Sequence, residues 1–190
     1  MRPVVDERPR APSLSVIVPA RNERGNIAAV VERLPTLAGD LEVIFVEGHS
    51  TDGTWDEIDR VLREQTGSVR VRAFRQTGTG KADAVRVGVE HATGELVTIL
   101  DADLTMPPEL LGRFYDAYRA GLADFVNGSR LVYPMEGVAM RFLNLFANVF
   151  FAKTLSFVLD TRLGDSLCGT KLFARHDWAR FRQWTRDFGG

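Results

Sequence analysis

The stretch LVTILDAD, residues 96–103, decides the fold. Apolar and β-branched residues lead into two carboxylates, Asp101 and Asp103, which stand two positions apart. In an extended chain that spacing puts both side chains on the same face. Because open α/β sheets bind ligands where their strands end, the stretch predicts a central strand with a ligand site at its carboxyl end. A simpler interpretation is a strand followed by acidic loop residues that only cap the next helix.

Outward from this stretch, short apolar runs alternate with helical patterns, as in parallel strands joined by crossover helices. Strands are predicted at residues 14–18, 41–46, 69–74, 96–100 and 123–127, and helices at 25–37, 55–63, 81–91 and 107–118. Beyond Arg130 this alternation ends. The pattern there predicts one long apolar helix over 138–159, a short strand that ends at Ala174, and a last helix over 176–184. The predicted fold class is α/β.

Length and composition exclude several classes of protein. A chain of 190 residues that is 45% hydrophobic and 26% charged can bury a core, and it is neither collagen-like nor disordered. The net charge of -1 gives no general attraction to polyanions, so no nucleic-acid partner is expected. The single cysteine, Cys168, cannot form an internal disulfide or a multi-thiolate metal site. It favours a reducing, cytoplasmic location.

The two ends of the chain differ in character. Residues 1–12 contain three prolines and no apolar run, which predicts a flexible arm before a single domain over 13–190. The most apolar stretch, 142–159, is interrupted by two asparagines and a lysine, so it is not predicted to span a membrane. It is either a core helix or a helix that lies on a bilayer surface, which would give peripheral membrane contact through 138–159. The oligomeric state is undetermined.

Polar side chains also follow the first and second predicted strands, in the segments PARNE (19–23) and EGHSTDGT (47–54). Together with the acidic pair, these turns predict three loops that converge on one crevice. Alternatively, Asn22 is a helix cap, and Ser50, Thr51 and Asp52 are turn and cap residues. A further turn, GTGKAD (78–83), places Lys81 at a helix start, where free N–H groups favour an anion, although its spacing is not that of a P-loop. Lys81 is therefore either a diphosphate ligand or a solvated lysine.

In this order, the segments resemble the family 2 glycosyltransferases. The matching stretches, SVIVPARNE, VIFVEGHSTDGT, GKADAVRVGVEHATGELVTILDADLTMPPE, NGSRLVYP and DSLCGTKLFAR, cover about residues 14 to 178. DADLTMPPE, GSR and the D-x-x-C-G-x-K pattern are similar to the dolichol-phosphate mannosyltransferase branch, which transfers sugar to a polyprenyl phosphate. The resemblance implies the glycosyltransferase A fold, a Rossmann-like, mostly parallel central sheet flanked by helices.

The resemblance also implies a role for individual residues on the donor side. The nucleoside pocket would be lined by Pro19, Ala20, Asn22 and Glu23, with Glu47 holding the base or ribose. Asp101 and Asp103 would bind Mg²⁺ or Mn²⁺ on the diphosphate of a UDP- or GDP-linked sugar, with Thr105 near the metal. Carboxylate oxygens are hard donors that suit either cation. The family usually reads D-D-x-S where this chain has Glu47-Gly48-His49-Ser50, so the nucleotide stays undetermined.

On the acceptor side, the resemblance implies that Arg130 meets a polyprenyl phosphate, with Arg141 as a second candidate. A phosphate acceptor has a second pKa of about 6, so it is already a nucleophile at neutral pH and needs no catalytic base. A single displacement then inverts the anomeric carbon. If the acceptor were a sugar hydroxyl, a base would be required, and Asp165 is the candidate. Alternatively, Asp165 is a loop residue that caps a turn.

Two other functions stay open from the sequence. The family usually continues beyond the point that matches Gly190, so the chain is expected to lack the usual C-terminal segment. It would then be a nucleotide-sugar-binding module, inactive without a partner or that segment. The second alternative is a D-x-D-x-T phosphatase, with Asp101 as nucleophile and Asp103 as general acid. That motif usually follows a first strand, whereas here it follows the fourth.

Overall fold

The computed structural model describes residues 11–64, 67–128 and 169–179. Its strands are β1 (Leu14–Ala20), β2 (Leu41–Glu47), β3 (Arg70–Arg75), β4 (Leu96–Ile99), β5 (Phe125–Asn127) and β6 (Lys171–Ala174). Its α-helices are α1 (Ile27–Glu32), α2 (Thr54–Glu64), α3 (Lys81–His91) and α4 (Leu111–Arg119). Short 3-10 turns cover Pro108–Leu110 and Arg175–Asp177. The alternation confirms the predicted α/β class.

The six strands form one sheet in the order β3-β2-β1-β4-β6-β5. Strand β1 pairs in parallel with both β2 and β4, and β2 pairs in parallel with β3, whereas β6 runs antiparallel to β4. In register, Leu14 stands opposite Leu41 on one side and Leu96 on the other. The three neighbouring strands therefore start level, and the loops that follow them leave the sheet at one common edge.

Burial in the core explains why the central strands are continuous apolar runs in the sequence. Strand β1 has six buried residues out of seven, and all four residues of β4 are buried. Helix α3 packs against β1 and β2, where Val85 and Val89 meet the sheet residues Ile17 and Ile44 in one cluster. Strands covered on both faces gain from apolar side chains at every position, which removes the usual alternation.

Helix α1 is shorter than the sequence pattern predicts. The predicted helix over 25–37 is wrong at both ends, because α1 covers only Ile27–Glu32. Gly25 has a φ of 95°, which is outside the helical region. Pro35 disfavours helical geometry at the residue before it, and so the helix ends upstream. The helix predicted over 107–118 likewise begins as the 3-10 turn Pro108–Leu110 before it becomes α4.

A buried polar network closes the amino-terminal edge of the sheet, opposite the loops described below. Glu42 is 5% exposed, and its Oε1 accepts hydrogen bonds from Ser15 Oγ (2.6 Å), Thr93 N (2.7 Å) and Thr93 Oγ1 (2.9 Å). Arg72 Nη1 lies 3.6 Å from Glu42 Oε2. Burial alone raises the pKa of the Glu42 carboxyl, but the hydrogen bonds from Ser15 and Thr93 and the charge of Arg72 outweigh it, so the pKa lies below its usual value. Glu42 is therefore held ionised inside the fold.

The chain divides into two compact units, one formed by Met1–Val126 with Lys171–Gly190 and the other by Asn127–Thr170. Of the second unit the structure describes only residues 127–128 and 169–170, where Gly128 N donates to Thr170 O at 2.9 Å. The single domain over 13–190 stays a prediction. Most of the arm over 1–12 lies outside the described residues, and Pro12 at its end is buried.

The predicted apolar helix over 138–159 also lies outside the described residues. Within the part of the chain that the structure describes, no helix has the length and apolar character needed to cross a membrane.

Candidate functional site

A cleft of about 260 Å³ opens at the carboxyl-terminal edge of the sheet. Its walls come from the loops after β1, β2, β3 and β4 and from the start of α3. The lining residues are Pro19, Ala20, Arg21, Glu23, Gly48, Gln76, Gly80, Lys81, Ala84, Asp101, Ala102 and Asp103. Six of the predicted site residues are among them: Pro19, Ala20, Glu23, Lys81, Asp101 and Asp103. The convergence of several strand ends on one crevice is thus present.

Four other predicted site residues are not among the lining residues. Asn22 lies in the loop after β1 and Glu47 is the last residue of β2, and neither lines the cleft. Arg130 and Asp165 lie outside the described residues, as does the second arginine candidate, Arg141. Their roles stay predictions.

The acidic pair stands at the end of β4, with only Leu100 between the strand and Asp101, close to the predicted position. The Asp101 side chain is 13% exposed and forms an ion pair with Lys81 Nζ, which reaches across from the start of α3. Asp103 is exposed, and its Oδ1 accepts hydrogen bonds from Thr105 N (3.0 Å) and Thr105 Oγ1 (2.8 Å). Lys81 is therefore a counter-ion of the acidic pair rather than a freely solvated lysine, and Thr105 fixes the direction of one carboxylate.

The loops at this edge contain unusual backbone conformations. Among the described residues, the non-glycine residues with positive φ are Asn22 (56°), His49 (60°) and Leu104 (57°). They lie in the loops after β1, β2 and β4. Such a conformation costs a residue such as Leu104 about 1–2 kcal/mol and costs an asparagine less, and strain of this kind clusters at functional sites. The contacts around these loops must hold them in place.

The first two loops are tied to each other by side chains. Asn22 N donates to Ser50 Oγ at 3.0 Å, and Thr51 N donates back to Asn22 Oδ1 at 2.9 Å. The side chains of Asn22 and Ser50 therefore bind the opposite loop and do not cap a helix. The predicted turn and cap role holds for Asp52, whose Oδ1 accepts a hydrogen bond from Thr54 N (2.9 Å) at the start of α2. Asn22 and Ser50 still shape the cleft. Their hydrogen bonds hold together the loops after β1 and β2, next to the lining residues Pro19, Ala20 and Gly48.

Asp52 and Thr54 anchor the segment that carries Glu23. Thr54 Oγ1 accepts a hydrogen bond from Glu23 N (2.8 Å) and donates one to Asp52 Oδ1 (2.5 Å), while Arg24 N donates to Asp52 Oδ2 (3.0 Å). The hydrogen bond from the Thr54 hydroxyl, with those from backbone N–H groups, holds the pKa of Asp52 below its usual value. The Asp52 carboxylate therefore joins the start of α2 to the segment that carries Glu23.

Glu47 is the last residue of β2 and is 5% exposed. Its Oε1 accepts a hydrogen bond from Ser50 N (2.5 Å), so the carboxylate closes its own turn. The residue that faces the cleft at this strand end is the next one, Gly48. Contact between Glu47 and a base or ribose stays a prediction.

The loop after β3 holds residues that sequence reasoning missed. Gln76 lines the cleft at 5% exposure, and its Nε2 donates to Gly78 O (3.0 Å) and Gly80 O (3.3 Å). Asp83 Oδ2 accepts a hydrogen bond from Gly78 N (3.0 Å). These bonds hold the glycine-containing turn that presents Lys81. Gln76 comes directly after β3, and Asp101 stands at the end of β4. A search for polar side chains at the end of every predicted strand would therefore have found Gln76.

The two carboxylates of the acidic pair fit a divalent cation whose remaining ligands come from a bound phosphate compound and water. Within residues 11–64, 67–128 and 169–179, no group of three or more His, Cys, Asp and Glu side chains is placed to hold a metal ion. Asp101 and Asp103 thus supply two carboxylates and no closed protein cage. Mg²⁺-type ions in phosphate-binding sites use such a set, with one or two carboxylates completed by phosphate oxygens and water.

Comparison with known proteins agrees with this architecture. The family model described as "Glycosyl transferase family 2" matches residues 15–182. The dolichol-phosphate mannosyltransferase of Pyrococcus furiosus is 33% identical over 122 residues, a match that covers 63% of this chain and 33% of that protein. The chain therefore spans about a third of the length of this curated relative.

Solved structures give the same fold. Glucosyl-3-phosphoglycerate synthase from Mycobacterium tuberculosis, in complex with Mn²⁺, UDP-glucose and phosphoglyceric acid, has a TM-score of 0.63 at 23% identity, covering 87% of this chain and 57% of that one. A mannosyltransferase from Pyrobaculum calidifontis, in complex with GDP-Man and Mn²⁺, has a TM-score of 0.59 at 22% identity, covering 95% and 47%. The predicted glycosyltransferase A fold is confirmed, and the chain belongs to glycosyl transferase family 2.

Proposed function

We propose that this chain transfers a hexosyl group from a nucleoside diphosphate sugar to a polyprenyl phosphate, with inversion and with the help of Mg²⁺ or Mn²⁺. One observation carries the proposal. The carboxylates of Asp101 and Asp103 stand at the end of a central strand, in a cleft that Lys81 enters from the opposite side. The two carboxylates would bind the metal ion, and the ammonium group of Lys81 would face the negative charge of the diphosphate.

The donor would lie along the edge of the sheet. Its diphosphate would contact the end of β4, where Asp101 and Asp103 would hold the cation. The nucleoside would extend over the ends of β1 and β2, towards Pro19, Ala20 and Gly48. One solved structure with the same fold contains GDP-Man and Mn²⁺, and another contains UDP-glucose and Mn²⁺, which supports a donor of either kind.

The acceptor is inferred from the relatives and from phosphate chemistry. The curated relative from Pyrococcus furiosus is named for dolichol phosphate. A phosphate monoester is an anionic nucleophile at neutral pH, so the chain would need to align it and would not need to deprotonate it. Arg130 is proposed to bind the acceptor phosphate, and Asp165 is the proposed base if the acceptor is a hydroxyl. Attack opposite the leaving diphosphate inverts the anomeric carbon.

The chain's own groups would act through position and charge. The bound cation would offset the negative charge that develops on the leaving diphosphate. Asp101 and Asp103 would hold that cation beside the diphosphate, and Lys81 would move from Asp101 to a phosphate oxygen as the site fills. The loop contacts of Asn22 and Asp52 would keep the cleft preorganised, so little reorganisation remains during transfer.

A polyprenyl acceptor resides in a membrane, so we propose that the chain acts at the cytoplasmic face of that membrane. Peripheral contact through 138–159 is part of this proposal, and that segment lies outside the described residues.

The transfer proposal is tested by incubating the full chain with Mn²⁺, radiolabelled UDP-glucose or GDP-mannose, and detergent-solubilised polyprenyl phosphate. Label is expected in the organic phase, as a product whose anomeric configuration is inverted. Free polyprenol, which has the same tail but no phosphate, is the matched control and should remain unlabelled. Binding of nucleotide without any transfer would contradict the proposed activity and favour a binding module. Release of phosphate from a phosphomonoester would favour the phosphatase alternative.

Lys81→Met is expected to move two affinities in opposite directions. Removing the ammonium group takes one cationic partner away from the Asp101 carboxylate, so Mn²⁺ should bind more tightly in the absence of nucleotide. The same change removes a cation from the diphosphate, so UDP and GDP should bind about tenfold more weakly when Mn²⁺ is present. Isothermal titration of Mn²⁺ and of each nucleotide measures both effects.

The matched control for Lys81→Met is Arg63→Met on α2, whose side chain is 71% exposed and pairs with Asp59. It removes a cation of similar reach outside the cleft, and neither affinity should change. Unchanged affinities in Lys81→Met as well would contradict the assigned role of Lys81.

A further inference from the structure

The side chain of Gln76 is held in one orientation at the wall of the cleft. Its Nε2 lies within hydrogen-bond distance of three acceptors: Gly78 O (3.0 Å), Gly80 O (3.3 Å) and Asp83 Oδ2 (3.3 Å). An amide presents donors only from its nitrogen, so the nitrogen must face these oxygens. The amide oxygen, Oε1, must then point the other way.

Gln76 Oε1 faces the space in front of Gly48. No residue in the described ranges donates a hydrogen bond to this oxygen, although the side chain is only 5% exposed. A Cβ on Gly48 would stand 2.9 Å from Oε1, and both residues line the cleft. Gly48 is not among the residues with positive φ, so the backbone does not require glycine there. Its missing side chain leaves an approach to a nearly buried acceptor without a donor.

The position of this acceptor fits the base end of a nucleotide. In the order β3-β2-β1-β4, the end of β3 is three strand spacings from β4, roughly 14 Å at the usual separation. The acidic pair that suits the diphosphate follows β4, and Gln76 follows β3. A nucleotide whose diphosphate lies at Asp101 would extend its base, the group most remote from the diphosphate, towards Gln76 and Gly48.

We infer that Gln76 Oε1 accepts a hydrogen bond from the ring N–H of the donor's nucleobase, and so selects uracil and guanine over cytosine and adenine. The inference rests on the proposed function. Uracil and guanine carry a hydrogen on the ring nitrogen of the pairing edge, whereas cytosine and adenine present a lone pair there. A lone pair facing Oε1 would leave a nearly buried acceptor unsatisfied, which should weaken binding by about tenfold to a hundredfold.

The test combines one change in the ligand with one change in the protein. Titrations with Mn²⁺ compare UDP with N3-methyl-UDP, and GDP with N1-methyl-GDP, on the wild-type chain and on Gln76→Met. Methylation should weaken binding to the wild type at least tenfold and have little effect on Gln76→Met. An equal methylation penalty on both proteins, or none on the wild type, would overturn the inference. So would a penalty that appears with 2′-deoxy-UDP and not with the methylated bases, because Oε1 would then read the ribose.

Two further variants separate base recognition from support of the loop. Asp83→Asn loosens the same turn and keeps Gln76 Oε1. It should therefore weaken the binding of methylated and unmethylated nucleotides equally and preserve the ratio of their affinities. Gly48→Ala puts a methyl group in front of Oε1, so it should weaken UDP binding and leave Mn²⁺-dependent binding of inorganic diphosphate unchanged. Equal losses for UDP and inorganic diphosphate in Gly48→Ala would overturn the inference. Failure of the wild type to bind any of these ligands would instead refute the donor site itself.

Discussion

Asp101→Asn is expected to remove Mn²⁺-dependent nucleotide binding, with an affinity loss of at least about a hundredfold. The substitution keeps the size of the side chain and removes its charge. Asp101 is 13% exposed at the end of β4, where a neutral amide would be a poor ligand for a divalent cation and would leave Lys81 without its counter-ion. Titration of UDP and GDP in the presence of Mn²⁺ measures the loss directly.

The matched control for Asp101→Asn is Asp116→Asn on α4. Asp116 is 74% exposed and pairs with Arg119 at 3.5 Å, so the same chemical change occurs outside the cleft. Exposed pairs of this kind contribute little, and nucleotide affinity should stay within error of the wild type. If Asp101→Asn binds nucleotide with Mn²⁺ as well as Asp116→Asn does, the acidic pair is not the cation site.

Glu42→Ala is expected to cost about 3 kcal/mol of unfolding free energy, a large share of the stability of a typical domain. The buried carboxylate accepts three hydrogen bonds from Ser15 and Thr93. Its removal leaves these donors without an acceptor and leaves Arg72 without its nearest carboxylate. Urea unfolding at neutral pH measures the loss. Glu64→Ala, which removes an exposed partner of Arg60 on α2, should change stability by less than about 0.5 kcal/mol.

The same network predicts a dependence on pH. The pKa of Glu42 is lowered in the folded protein, so the unfolded chain takes up the proton at a higher pH than the folded chain does. The stabilising contribution is complete above the ordinary glutamate value near 4.5 and is lost as the pH falls through the lowered folded value. Wild type and Glu42→Gln should therefore differ in stability at pH 7, and the difference should shrink as the pH falls below the ordinary glutamate value near 4.5. A difference that grew on acidification would contradict the assignment.

Much of the fold can be predicted from the sequence because the signals are local. The stretch over 96–103 identifies a buried strand with carboxylates at its end, and helix α3 has the predicted bounds, Lys81–His91. Strand β6 shows where this reasoning stops. Residues 171–174 pair antiparallel with 96–99, and neither the partner nor the direction is encoded near either segment. Such pairing is decided by packing of the whole sheet.

The candidate site divides in the same way. Asp101, Asp103 and Lys81 carry charges that suggest their chemistry from the sequence alone. Gln76 and Gly48 do not, because an amide and a missing side chain acquire meaning only once two loops are brought together. Asn22 resembles a helix cap in the sequence for the same reason, since its bond to Ser50 joins residues 28 positions apart.

Binding of UDP and GDP to the full wild-type chain, titrated with and without Mn²⁺, tests the donor site most directly. We expect at least one of the two nucleotides to bind in the presence of Mn²⁺, and its affinity to fall at least about tenfold when the cation is removed with a chelator. Absence of binding by both nucleotides at millimolar concentration, or binding that is equal with and without the cation, would contradict a metal-assisted diphosphate site at Asp101 and Asp103.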